Sequence, residues 1–289
     1  SCYISFLIPL GHDPPTIEMP ERMAVVSASN FVTRTDSLRA PKPPGQDIQL
    51  PFAPQFARFG DGSSILLGGW EVDRDGVTGP SERVYQLLQS NAMDDPATPA
   101  DESETAVPHL YATHDLSLPR ADGRALGVSP QMVLVMGGLD AAPQASSPLE
   151  LYRWRSGGRR GYREGGTLEH LPVVAVGEAQ IWDRGFAAMT LPCTGNDPCP
   201  VLLVGGERNA GIASDRALIL HLSQTENNGQ LGWQVEAQPL PHPLPEGRWG
   251  ASVSLLDDGS YLVAGGRTAP PGEAGEPGET AYLYLPYTP

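Results

Sequence analysis

Two cysteines six positions apart, Cys193 and Cys199, carry the most specific chemistry in this 289-residue chain. Between them lies Thr194-Gly195-Asn196-Asp197-Pro198, whose Asn-Asp-Pro favours a turn, and the flanking apolar runs 186–191 and 201–204 read as strands. Such a hairpin can bring the thiols within disulfide reach. Two free thiols, or a two-ligand metal site, are the alternatives, although no nearby Cys or His completes a metal cage. A disulfide here implies maturation in an oxidising place, so the protein is expected to be secreted, periplasmic or at a cell surface.

Charge clusters come next. Arg153, Arg155, Arg159, Arg160 and Arg163 lie among glycines in a chain whose formal net charge is −15. They form the candidate binding loop, suited to an acidic partner or a phosphate, with a flexible exposed loop as the alternative. Asp94, Asp95, Asp101, Glu102 and Glu104 lie among Pro, Ala and Ser in residues 91–105. They lack the regular spacing of a calcium loop and read as a solvated insertion. The histidines are His12, His109, His114, His170, His221 and His242, none in a paired metal-ligand motif; His109 and His114, flanking Tyr111, are the nearest approach to one. No Gly-x-Ser-x-Gly elbow, His-Glu-x-x-His helix or phosphate-cradling loop occurs. The residues therefore point to no catalytic group, metal or cofactor. The acidic balance removes the electrostatic term that dominates nucleic-acid binding, and no apolar run approaches the roughly 20 residues of a membrane span.

The elements that must position these residues are strands. With 33 Gly and 30 Pro, more than a fifth of the chain disfavours helix, and no stretch sustains apolar spacing at helical period. A short apolar run ending in Gly-Gly recurs four times, at Ile65-Leu66-Leu67-Gly68-Gly69, 132–138, 201–206 and 261–266. Its first glycines, Gly68, Gly137, Gly205 and Gly265, are separated by 69, 68 and 60 residues. In the last copy, Arg248-Trp249-Gly250 leads into a strand, Asp257-Asp258-Gly259-Ser260 turns, and Tyr261 opens the partner strand. Arg184 and Arg124 precede the hairpins of the third and second copies. A further strand follows each double glycine, at 83–87, 149–154, 217–222 and 281–285, with Tyr85, Tyr152, Ile219 and Tyr284 central. Fourth strands are expected at 116–118, 173–176 and 233–237.

This arrangement resembles the kelch family, and particularly its bacterial members, whose blades run Arg, strand, Asp-Gly turn, strand, Gly-Gly, loop and Tyr-containing strand. The resemblance covers roughly residues 50–289 and implies an all-β fold, a β-propeller with four recognisable blades. The Trp expected after the third strand matches loosely at Trp154 and Trp233. Residues 47–289 form the expected propeller. Residues 1–46 form an N-terminal segment, whose runs 3–10 and 23–32 could supply closing strands or a degenerate fifth blade. The last copy stops at its third strand, so residues 47–50, the N-terminal segment or another subunit must complete it. The start at Ser1-Cys2 lacks a basic leader region, which suggests upstream processing, with Cys2 packed or free rather than lipidated.

Kelch-like propellers are binding modules and enzymes alike. The favoured expectation is a non-catalytic extracytoplasmic binding or scaffolding propeller, a subunit of a larger assembly whose partner is a protein or a glycan. The alternative is an enzyme with its site at the channel mouth, such as a copper oxidase resembling galactose oxidase.

Overall fold

The computed structural model describes residues 2–5, 22–27 and 33–37 as strands, and residues 51–289 apart from 52, 61–62, 74–75, 90–107, 114, 139–148, 156–166, 180–183, 194–196, 208–211, 228–229, 270–274, 279 and 285–289. The fold is all-β; a 3₁₀ turn at Gly177–Ala179 is the one helical element among the described residues. Strands β1 (Cys2–Ser5), β2 (Arg22–Ser27) and β3 (Thr33–Ser37) make a three-stranded antiparallel sheet. Four larger sheets follow in chain order, each containing one of the Gly-Gly hairpins, with a two-stranded sheet inserted in the first.

The first contains β4 (Gln55–Arg58) and β5 (Ser64–Leu67), then a separate hairpin of β6 (Trp70–Asp73) and β7 (Gly76–Pro80), then β8 (Val84–Gln89) and β9 (Pro108–Ala112), in the order β4-β5-β8-β9. The second runs β10 (Arg124–Ser129), β11 (Met132–Met136), β12 (Leu149–Arg155) and β13 (Thr167–Leu171). The third has β14 (Val173–Val176), β15 (Phe186–Thr190), β16 (Val201–Gly205), β17 (Ala217–Asn227) and β18 (Gln230–Pro239), ordered β14-β18-β17-β16-β15. The fourth is three-stranded, with β19 (Ser252–Leu255), β20 (Tyr261–Ala264) and β21 (Tyr282–Tyr284).

Two expected fourth strands are corrected. Residues 116–118 are not a strand, and β9 takes that place. Residues 173–176 do form a strand, but the second sheet already ends at β13. Pro172, which lacks an N–H, interrupts the chain there, and β14 crosses to pair parallel with β18 of the third sheet. The expected strand at 233–237 lies within β18.

Sheet faces stack through three apolar clusters, which explains why the Gly-Gly runs are continuous rather than alternating. In β11, Val133 and Val135 face the first sheet with Ile65, Leu67 and Trp154, whereas Met132, Leu134 and Met136 face the third with Phe186, Val201 and Leu203. All five β11 residues are buried as a result. In β16, Val201 and Leu203 look back to the second sheet while Val204 meets Ala251 and Val263 of the fourth. The fourth sheet is buried on one face only: Val263 is covered, and Leu283, in register with Leu262, stays 62% exposed.

A left-handed residue precedes the first strand of each Gly-Gly hairpin, β4, β10, β15 and β19: Ala53 (φ 49°), Asp122 (φ 58°), Gly185 (φ 64°) and Gly250 (φ 71°). Three of them are joined in series, Gly250 N–H donating to Gly185 O (2.6 Å) and Gly185 N–H to Asp122 O (2.9 Å). The double glycines close the other junction. Gly69 N–H donates to Arg120 O (2.7 Å), and Gly206 N–H makes the same bond to Arg248 O. Gly68 has φ +59°, and a Cβ there would stand 2.6 Å from Arg120 O. Gly68→Ala is therefore expected to cost about 1–3 kcal/mol, read as a lower urea midpoint at unchanged slope; an unchanged midpoint would refute the close approach.

Candidate functional site

Arg120 and Arg248 occupy matching places ahead of the second and fourth sheets, so the residue equivalent to Arg248 is Arg120 and not Arg124. By the same bonding Arg184 matches Trp249: Glu207 N–H donates to Arg184 O, as Arg267 N–H does to Trp249 O. Arg120 is fully buried, and its Nε and Nη2 donate to Glu150 Oε1 at 3.2 and 3.1 Å while Nη1 donates to Gly137 O at 2.8 Å. Glu150, 2% exposed on β12, also accepts from Ser117 N–H (2.9 Å) and the Tyr152 hydroxyl (3.0 Å). Burial lowers the Arg120 pKa, against the pull of Glu150. Burial, then Glu150, raises that of Tyr152. Perturbed groups of this kind are candidates for chemistry. Here their donors and acceptors are spent on one another in a dry interior, which makes the cluster a fastening between strands. Arg248 plays the corresponding part at the fourth sheet, where its Nη2 donates to Glu246, to Thr280 and to the Tyr282 hydroxyl of β21.

The groups open to a ligand lie elsewhere. A cleft of about 710 Å³ opens between the second and third sheets. Its walls are the β10–β11 turn (Ser129, Pro130, Gln131, Met132), Arg153 of β12, Asp197 and Pro198 of the cysteine loop, Leu222, Ser223 and Gln224 of β17, and Trp233 of β18. Each wall has a local cause. Ser129-Pro130 makes the tight turn, and the Ser129 hydroxyl accepts from Gln131 N–H (3.2 Å). Trp233 lies opposite Gln224 across β17–β18 and packs on the cluster shared by the two sheets.

The Cys193–Cys199 disulfide forms, with a Cα–Cα distance of 5.4 Å. Its loop leans onto the second sheet, where Cys199 N–H donates to Val128 O (2.6 Å), while the Thr190 hydroxyl donates to Gly127 O (2.8 Å). The sequence separation is 6, and the closed loop has little entropy to lose. Replacing both cysteines by serine is expected to cost about 2 kcal/mol by the chain-entropy relation, measured by urea unfolding; equal stability of oxidised wild type and variant would count against it.

Of the basic cluster, Arg153 reaches the cleft. Its Nε and Nη2 donate to Glu169 Oε2 of β13 at 3.1 and 2.8 Å, and Arg155 Nε donates to the same oxygen at 2.9 Å. Two guanidiniums thus share one carboxylate, whose pKa they lower, and with Asp197 on the opposite wall the lip carries both signs of charge. Arg159, Arg160 and Arg163 lie outside the described residues, as do the acidic stretch 91–105, His12 and His114. His109 and Tyr111 sit on β9, and His221 and His242 are exposed. His170 Nε2 is 3.6 Å from Glu150 Oε2. Among the described residues, no three His, Cys, Asp or Glu side chains gather as metal ligands, and no helix is long and apolar enough to cross a membrane. Gln131, Gln224 and Ser223 were missed in sequence because isolated polar residues in a turn or an exposed strand carry no motif. Trp233 carried a weak signal, as the loosely matched kelch Trp.

No family model matches the sequence, and no curated protein does. Among solved structures, the chain is similar to YjhT (11% identity over 92% of this chain and 89% of that one, TM-score 0.39). It is also similar to a fungal alcohol oxidase of the AA5 family in complex with copper (12% identity over 92% of this chain and 59% of that one, TM-score 0.40). A chain of RAG in complex with one melted and one unmelted RSS gives 13% identity over 91% of this chain and 73% of that one, with a TM-score of 0.50. At these identities the likeness is one of fold alone.

Proposed function

We propose that the protein is a non-catalytic binding or scaffolding module, a kelch-like propeller of four blades with an N-terminal contribution, working outside the cytoplasm in a larger protein assembly. The cleft between the second and third sheets is its binding site. One observation carries this reading: Arg153, held rigid by Glu169, stands in one cleft with Trp233 and the polar side chains of Gln131, Ser223 and Gln224. An aromatic and an arginine on a fixed scaffold are the residue types that dominate protein interfaces. The disulfide supports an oxidising compartment. The strongly perturbed Arg120 and Tyr152 are committed to Glu150, which supports a structural reading of that cluster over a catalytic one.

The test is capture from the extracytoplasmic fraction of the source cells, comparing wild type with the Arg153→Glu/Trp233→Ala variant. A protein retained by wild type and depleted about tenfold with the variant, an effect of ~1.4 kcal/mol, is the expected result. Equal retention by both overturns the cleft as the interface, and recovery of a glycan with no protein overturns the assembly.

A further inference from the structure

Strand β17 outruns its neighbour. Its last residue paired with β16 is Leu220, opposite Val201. From His221 to Asn227 the described residues pair it with β18 alone. The chain ahead of β16 keeps its pairing with β15 as far as Leu191, whose N–H donates to Pro200 O (2.8 Å), and departs at Cys199, whose N–H donates to Val128 O on the second sheet. Past Leu220, β17 therefore has no strand partner on that side among the described residues, and the cleft lies there. Three consecutive residues of the strand, Leu222, Ser223 and Gln224, line that gap. Successive side chains of a strand point to opposite faces, so what borders the cleft is the edge of the strand, where the backbone N–H and C=O of Leu222 and Gln224 face outward while those of Ser223 face Gln234 of β18.

We propose that this edge accepts an extended segment of a partner polypeptide as an added strand. The chemistry selects that occupant. A free edge offers backbone donors and acceptors in the spacing of another strand. Native edges are commonly blunted by Pro, Lys or a bulge, and residues 221–227 contain no Pro, no Lys and no register shift against β18. Alternate side chains of the incoming segment would meet the apolar wall of Leu222, Trp233 and Met132. The inference rests on the cleft being the binding site and adds the manner of binding.

A phage library of random heptapeptides, panned on the full chain, supplies the probe. The enriched peptide is titrated against wild type, Trp233→Ala, Gln224→Pro and Gln224→Lys. Gln224 is exposed and its N–H faces away from β18, so neither change removes a bond of the β17–β18 ladder. Strand addition is expected to weaken binding about tenfold in Gln224→Pro and Gln224→Lys, and the bound peptide should slow amide exchange at residues 222 and 224. Binding that survives both Gln224 changes but is lost in Trp233→Ala sinks strand addition and leaves the cleft standing. Binding indifferent to all three sinks both. Failure to enrich any peptide sinks strand addition, with the capture experiment deciding the cleft independently.

Discussion

Replacing Arg120 by alanine lowers the unfolding free energy by about 3–5 kcal/mol, the cost of leaving one member of a buried ion pair without its partner. Glu150 would then be a buried carboxylate, keeping Ser117 N–H, the Tyr152 hydroxyl and His170 at 3.6 Å but losing both guanidinium bonds. The wild-type pair is not itself a large net gain, because both charges are desolvated. The double variant Arg120→Met/Glu150→Gln should therefore recover about half of the loss: the amide oxygen still accepts from Ser117 and Tyr152, and no charge remains buried. Urea unfolding of the wild type, the two single variants and the double variant tests this. Strictly additive losses would show that the residues do not act as a pair. Arg155→Ala is the control; its partly exposed pair with Glu169 should change stability by less than about 1 kcal/mol.

The same cluster sets an alkaline limit. The folded-state pKa of Tyr152 lies above its ordinary value of 10.0, chiefly through burial. Such a group contributes fully below the unfolded pKa, and its contribution is lost as pH rises from there towards the folded value, because only the unfolded chain releases the proton. Stability should decline above pH ~10, and Tyr152→Phe should flatten that decline while losing the hydrogen bond to Glu150. An alkaline limb identical in the two proteins would rule out Tyr152 as its source.

Phe186→Ala is the second large effect, expected to cost about 3–5 kcal/mol. Phe186 is fully buried in the cluster shared by Leu134, Met136, Val201 and Leu203, so its ring fills space between two sheets rather than within one. Val263→Ala removes less volume from the smaller cluster joining the third and fourth sheets and should cost about 2 kcal/mol. Both variants should unfold in one transition, since the second and third sheets are buried against neighbours on both sides. A first transition confined to the fourth sheet in Val263→Ala would mean that this sheet folds separately.

Much of the architecture was legible in the order of residues because it rests on short-range properties. The Gly-Gly ends mark left-handed backbone that Gly68, Gly137, Gly205 and Gly265 can adopt without strain. Their apolar runs are long because both faces are covered, and the cysteine spacing between two strand-forming runs put Cys193 and Cys199 just beyond the paired ends of β15 and β16. The third strands fell close to expectation, at β8, β12, β17 and β21, since aromatic and branched residues mark buried strands. Tyr85 and Tyr152 are buried there, while Ile219 is half-buried.

Partner choice was not legible, because it is settled by groups far apart in the chain. Nothing local tells a strand that β13 ends at Pro172 and that β14 will serve the next sheet. Nor does spacing identify Arg120 as the counterpart of Arg248, since what matches them is a bond from a double glycine on the preceding sheet. The five arginines read as one patch in sequence, yet Arg153 and Arg155 are tied to a carboxylate on the neighbouring strand. The cleft itself has no sequence signature. It exists because one strand runs past its partner while a disulfide loop bends towards another sheet. Turn chemistry, apolar runs and the cysteine spacing were determined by the sequence alone; which edges stay open, which charges are buried and which side chains share a cleft were decided only when distant strands packed, because those properties depend on distances between residues that the chain does not hold close together.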